Sequence, residues 1–258
     1  MTLIDTHCHL NDTEAFPDPD LAASEARVAG VEQIIVIGVD LASSRLARDL
    51  ADRLEGVYFT AGHHPNYAHE FQEADLEIYR ELLAHPKAVG LGEIGLDTHW
   101  DFATKDEQWR CLRAQLDLAA EVGKPIVLHC REAYPALLDI LEREPARDWV
   151  FHCFGGDRDD AARAIALGGW FGIDGPVTYK KADALRAQIP DLPRDRLILE
   201  TDSPWMTPHP HRSERNRPAL LPLINAAVAG VLDLTPEACA ELTTANARRL
   251  FSGLGYSK

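Results

Sequence analysis

Short apolar, β-branched runs alternate along the chain with longer stretches in which apolar residues recur at helical spacing. The runs predict strands over Leu3–His7, Gln33–Gly38, Val57–Gly62, Ala88–Glu93, Pro125–His129, Val150–Cys153, Trp170–Ile173 and Leu197–Glu200. Each is followed by a polar loop and an amphipathic segment rich in Ala, Leu, Glu and Arg. These segments predict helices over Leu21–Ala29, Ser44–Leu54, Asp75–Leu83, Asp106–Val122, Tyr134–Glu144, Arg158–Leu167, Ala182–Gln188 and Leu220–Leu232. The stretch DEQWRCLRAQLDLAAEV carries the clearest helical spacing, and Gly123 and Pro125 mark its end. Beyond Leu232, TPEACAEL and TTANARRLF read as a further helical segment packed against the body of the domain.

Strands alternating with helices argue a parallel sheet. Eight such units in about 250 residues match an α/β fold of the (β/α)8 TIM-barrel type. A doubly wound open sheet would carry a Gly-rich phosphate turn after a strand, and GVDLASS after the second predicted strand is a poor match to one. With no low-complexity segment or linker, residues 1–258 form a single barrel domain with an extra C-terminal helical segment.

Composition narrows the classes of function. A chain of 258 residues that is 46% hydrophobic is long enough for a full core. No apolar stretch approaches the roughly 20 residues of a membrane span, and the N-terminus lacks a signal-peptide layout. The expectation is a cytoplasmic protein without a membrane partner. Five cysteines with no paired spacing exclude a disulfide framework. Cys8, Cys130 and Cys153 each follow a histidine, and strand alternation would turn them away from the histidine face as packing residues. The formal net charge of −15 opposes any coating of nucleic acid through phosphate neutralisation, but leaves room for an enzyme acting on one phosphate in a local pocket.

The polar residues at the strand ends carry the chemistry. In IDTHCH, His7 and His9 lie two residues apart and share a strand face. Glu93 ends the fourth strand, His129 the fifth and His152 the sixth, and Asp202 follows the eighth. The C-terminal strand ends of a (β/α)8 barrel ring one mouth, where active sites of this fold lie. Four histidines and two carboxylates gathered there would be costly unless they bound something, and a divalent cation is the economical answer. Taken singly, each is explained as well by a satisfied core histidine, a helix cap or a turn acid; their shared end of the barrel is not.

The ordered set DTHCHL, GHHP, GEIGLD, PIVLHCRE, HCFGG and ETDSP resembles the TatD family of metal-dependent deoxyribonucleases, within the amidohydrolase-like barrels, from about Leu3 to about Phe251. The resemblance implies two metal ions per subunit bridged by Glu93, one held by His7, His9 and Glu93 and the other by Glu93, His129, His152 and Asp202. Zinc, manganese and magnesium all remain open. It also implies that His64 and Arg131 contact substrate. Arg217, in RNRP, stands where the family pattern more often reads R-N-E-P, which bears on substrate preference.

In such a site a metal-activated water attacks, with Asp202 as proton acceptor and Glu93 in the catalytic machinery. Glu200, two residues before Asp202, is placed to support it. The segment HPHRSERNRP carries Arg212, Arg215 and Arg217, and Lys180 and Lys181 add charge near the same rim, so Arg215 and Arg217 are expected to meet phosphate. The leading expectation is a 3′–5′ exodeoxyribonuclease that takes DNA 3′ ends or small phosphodiesters. The alternatives are a hydrolase of small-molecule amide, lactone or aminoacyl-ester bonds using the same dinuclear site, and a non-catalytic scaffold that keeps the metal for stability.

Overall fold

The structure, a computed structural model, describes residues 1–255. Its strands are β1 (Leu3–Cys8), β2 (Val31–Ile37), β3 (Val57–Ala61), β4 (Ala88–Asp97), β5 (Ile126–Arg131), β6 (Trp149–Phe151), β7 (Trp170–Ile173) and β8 (Leu197–Leu199). The helices are α1 (Pro19–Val28), α2 (Leu41–Arg53), α3 (Asp75–Leu83), α4 (Lys105–Val122), α5 (Tyr134–Leu141), α6 (Arg158–Ala166), α7 (Asp183–Gln188), α8 (Leu221–Val231) and α9 (Pro236–Leu250). The strands pair in parallel in sequence order, β1 through β8. This is the expected (β/α)8 barrel, with α9 as the extra C-terminal element.

Local chemistry sets the element boundaries. α2 and α4 begin at capping boxes, where the side chains of Asp40 and Thr104 accept from the backbone N–H of Ser43 and Glu107. α4 ends at Gly123, whose left-handed φ of 62° a glycine adopts without cost. No single helix among the described residues is long and apolar enough to cross a membrane.

Two apolar layers make the core. The larger lies between strands and helices. The smaller fills the barrel, with Ile4, Ile35, Val89, Val127, Val150, Trp170 and Ile198 meeting Ala247, Leu250, Phe251 and Leu254. The end of α9 and the residues after it therefore plug the N-terminal mouth, and the plug is tied in by Asn246, which donates to the Leu197 carbonyl at 2.8 Å. The opposite mouth, at the C-terminal strand ends, stays open.

The barrel closes at a thin seam. β8 spans three residues, and a single bridge, Cys8 to Ser203, pairs β1 with the chain beyond it. The Asp202 N–H donates to the His7 carbonyl at 2.9 Å and the His9 N–H to the Ser203 carbonyl at 2.8 Å. Buried Asp5 reinforces the seam by accepting from Thr201 N at 2.9 Å and bonding the Thr201 hydroxyl at 2.6 Å.

Candidate metal centre and active-site cavity

The first donor group is produced by an irregularity in β1. Ile4 faces the barrel interior, so strict alternation would turn Cys8 inward as well. The register shifts between Asp5 and Cys8, Cys8 joins the outer core, and His7 and His9 face the mouth together. Their Nε2 atoms stand 3.3 Å apart. Asp202, held at a left-handed φ of 51° that Asp tolerates better than most residues, brings Oδ1 to 3.7 Å from His7 Nε2 and 3.5 Å from His9 Nε2.

The second group surrounds Glu93 in β4. Glu93 Oε2 faces His7 Nε2 at 3.5 Å, whereas Oε1 faces His129 Nδ1 and His152 Nε2, each at 2.9 Å. The two oxygens of one carboxylate thus point at two histidine groups, as a bridging ligand requires. The local backbone depends on glycine. Gly95 sits at φ 151°, and a Cβ there would overlap the His129 carbonyl oxygen.

Three groups of donor atoms lie close enough to hold one ion each: His7, His9 and Asp202; His7, Glu93 and His152; and His64, Glu93 and His129. Tetrahedral nitrogen and oxygen donors at about 2.1 Å from zinc stand about 3.4 Å from one another. The 3.3, 3.5 and 3.7 Å separations in the first group fit that spacing. Asp202 therefore groups with His7 and His9, not with His129 and His152 as the family resemblance implies.

Electrostatics suits a cation. Burial alone would raise Glu93, but the charge of the His152 imidazole, together with the hydrogen bond from His129, outweighs it and holds the carboxyl well below its usual range. Asp202 is likewise lowered against its burial, chiefly by its hydrogen bond with His9. Burial lowers His7, which favours the neutral imidazole a metal needs. Burial also opposes charge on His152, yet contact with Glu93 and Glu200 raises it well above the ordinary imidazole value. A cation at that position competes with this proton.

Outer residues aim the inner ones. Asp97 at the end of β4 accepts from His129 Nε2 at 2.8 Å, which turns His129 Nδ1 toward Glu93. Glu200 lies 3.4 Å from His152 Nδ1 and accepts from the Cys153 N–H at 2.5 Å, so its contacts are with the sixth-strand histidine and its neighbour. His64 Nδ1 accepts from the Asn66 N–H at 3.1 Å. Burial, then His129, lowers the ring to about 3, so it is neutral with its proton on Nε2, which faces Glu93 at 3.7 Å. That tautomer makes His64 a hydrogen-bond donor at the cavity wall.

Above these groups lies a cavity of about 980 Å³ whose walls include Glu93, His129, His152 and Asp202, together with Trp100, Phe102, Tyr134 and Trp205. A family model described as TatD related DNase matches residues 4–252. The chain belongs to the TatD family. The uncharacterized metal-dependent hydrolase YabD of Bacillus subtilis (strain 168) is 38% identical to it over 251 residues, covering 96% of this chain and 98% of that protein. A protein of Musicola paradisiaca (strain Ech703) named 3′-5′ ssDNA/RNA exonuclease TatD is 38% identical over 259 residues, covering 96% and 97%. Among solved structures, the TatD homologue YjjV of Escherichia coli K12 matches with a TM-score of 0.91 at 31% identity, over 97% of this chain and 98% of that one. This TatD-family chain is a metal-dependent hydrolase.

Other expected residues fall elsewhere. Arg131 lines the cavity and is the one Lys or Arg to do so among the described residues. Arg215 and Arg217 do not line it. Arg215 donates to the carbonyls of Ala15 and Glu14 at 2.7 and 3.2 Å, and Arg217 pairs with Glu214 at 3.4 Å. Arg212 lies 3.8 Å over the Tyr179 ring. The arginines after β8 tie this loop to itself and to the segments after β1 and β7. Cys130 packs against the outer core as expected, although it also borders the cavity, whereas Cys153 lines the cavity against expectation. Cys153 lies beyond the end of β6 at a positive φ of 44°, where strand alternation no longer applies. Asp97, Trp100, Phe102 and Trp205 were given no role from sequence. Asp97 alone carried a signal, since it lies four residues from Glu93 and so on the same strand face.

Proposed function

We propose that this TatD-family hydrolase is a 3′–5′ exonuclease that removes nucleotides from single-stranded DNA with two bound divalent cations. The observation that carries the reading is the arrangement of Glu93, whose two oxygens face separate histidine groups at the floor of an open cavity. The relatives named as 3′-5′ ssDNA/RNA exonucleases support the choice of bond and polarity. In the reading, His7, His9, Asp202 and Glu93 Oε2 hold one ion, and Glu93 Oε1, His129 and His152 hold the other. Bound cations would supply Lewis-acid stabilisation of the phosphoryl oxygens and lower the pKa of the attacking water.

The chain's own groups do the rest. Asp202, ionised, accepts the proton of the attacking water through Oδ2, because Oδ1 faces His7 and His9. The water oxygen bonds phosphorus, the bond from phosphorus to the 3′ oxygen breaks, and Asp202 returns the proton to that leaving oxygen. Neutral His64 donates from Nε2 to a non-bridging phosphate oxygen, and Arg131 contacts the substrate at the cavity wall.

One observation favours a second reading. The cavity wall holds Tyr67, Trp100, Phe102, Tyr134 and Trp205 but a single cation, Arg131, and the arginines after β8 lie outside it, which suits a small carbonyl substrate as well as a phosphodiester. One experiment separates the two. Metal-stripped protein is reloaded with magnesium, manganese or zinc and incubated with 5′-labelled single-stranded DNA, beside Asp202→Asn. A ladder shortening from the 3′ end, absent in the variant, is expected. Intact label in every lane, with turnover of amide, lactone or aminoacyl-ester compounds, would replace the nuclease reading with the second one.

A further inference from the structure

We propose that the ring stack of Trp100 and Phe102, in the loop after β4, is a stacking platform for an unpaired nucleobase near the 3′ end of the strand. The inference rests on the nuclease reading and adds how the strand is gripped. The two rings lie 5.6 Å apart at 25°. Trp100 is 45% exposed and Phe102 59% exposed, and both line the cavity that holds the donor groups. Large rings left open to water beside a cavity mark a surface that a flat apolar partner covers. Trp205, 53% exposed and 5.0 Å from the His9 ring, presents another such surface on the β8 side.

The platform is indexed to the donor groups by one carboxylate. Asp97 Oδ1 accepts from the N–H of His99 at 2.9 Å and of Trp100 at 3.1 Å, while its Oδ2 accepts from His129. The loop is also tied to the end of β5, since His99 Nδ1 lies 2.7 Å from Glu132 and the Thr98 hydroxyl donates to the Glu132 carbonyl. The Arg131 guanidinium lies 5.5 Å from the Trp100 ring centre, which leaves one cation at the platform. A wall of this kind cannot grip a strand by its phosphates, because Arg131 is alone among acidic neighbours such as Glu132, Asp157 and Asp160. Stacking supplies affinity without phosphate neutralisation, is tolerant of sequence, and requires the base to be unpaired.

The test compares a single-stranded oligonucleotide with the same strand made abasic at its 3′-terminal nucleotides. Each is digested by the metal-loaded full chain, and the ratio of the two kcat/KM values gives the preference for bases. Wild type should prefer the intact strand by roughly 5- to 150-fold, the range of one stacked base. In Trp100→Ala/Phe102→Ala that preference should fall by at least roughly fivefold, and Trp100→Tyr should keep it. Each preference is a ratio measured on one enzyme sample, so a misfolded fraction cancels. A smaller fall overturns the platform while nuclease activity stands. A wild type that digests neither strand overturns the nuclease reading, and the platform with it.

Discussion

Replacing Asp97 by Asn tests whether the outer carboxylate sets the tautomer of a metal ligand. Asp97 Oδ1 accepts two backbone N–H groups, from His99 and Trp100, and Oδ2 accepts from His129 Nε2 at 2.8 Å. An Asn side chain satisfies the two amides only with its oxygen, so its NH2 must then face His129 Nε2. Two donors cannot share that contact, and the imidazole must move its proton to Nδ1, which points at Glu93 and the proposed cation. Loss of such an outer partner costs about 10- to 100-fold in metal affinity, or about 1.4–2.8 kcal/mol. The assay is zinc competition against a chromophoric chelator at neutral pH, with wild type and Asp97→Asn side by side. The backbone bonds survive, so the metal-free variant should melt close to wild type. Wild-type zinc affinity in a folded Asp97→Asn would refute the tautomer argument.

Gly95→Ala sets a Cβ against the His129 backbone, with the carbonyl carbon only 2.9 Å away, at a φ of 151° that alanine resists. It should cost on the order of 3 kcal/mol and lower Tm by about 6–12 °C, checked by thermal melting. Chelation of the as-loaded protein should lower Tm as well, by about 5–10 °C if metal is supplied at a hundredfold excess over its Kd. Arg215→Ala and Arg217→Ala lie outside the cavity and should each change kcat/KM on single-stranded DNA by less than about twofold; a tenfold loss in either would restore the phosphate-binding role that the sequence suggested.

Much of the candidate site could be read from the sequence because a barrel converts sequence position into spatial position. A histidine or acid at the end of a β-branched run has one place to go, the C-terminal mouth, and His7, His9, Glu93, His129, His152 and Asp202 all arrive there. What failed were inferences that needed local geometry. Strand alternation misplaced Cys153 because it assumes regular pleating, and this residue lies past the end of β6, whereas Cys130 inside β5 keeps the expected parity. The arginines after β8 looked like phosphate ligands from charge alone, and only the carbonyls of Glu14 and Ala15 show what occupies Arg215. Asp97 had the right parity, but its bond to His129 crosses between strands, and no sequence pattern records that pairing.

The seam between β1 and β8 explains why donor placement and barrel closure are one problem. β8 is three residues long, and pairing across the seam reduces to a single bridge with its flanking hydrogen bonds. Those bonds use the His7 carbonyl and the backbone N–H groups of His9 and Asp202, whose side chains form the first donor group. His7 and His9 stand on one side of the seam and Asp202 on the other. An ion held by all three would therefore cross-link the barrel where its own ladder is thinnest. Free energy of binding at that place is free energy of closure, since a chain open at the seam cannot present the three donors together. The expected loss of Tm on chelation follows from this position as much as from ligand count. Asp5, bonded to Thr201 across the same seam, holds the donors in register before any ion arrives.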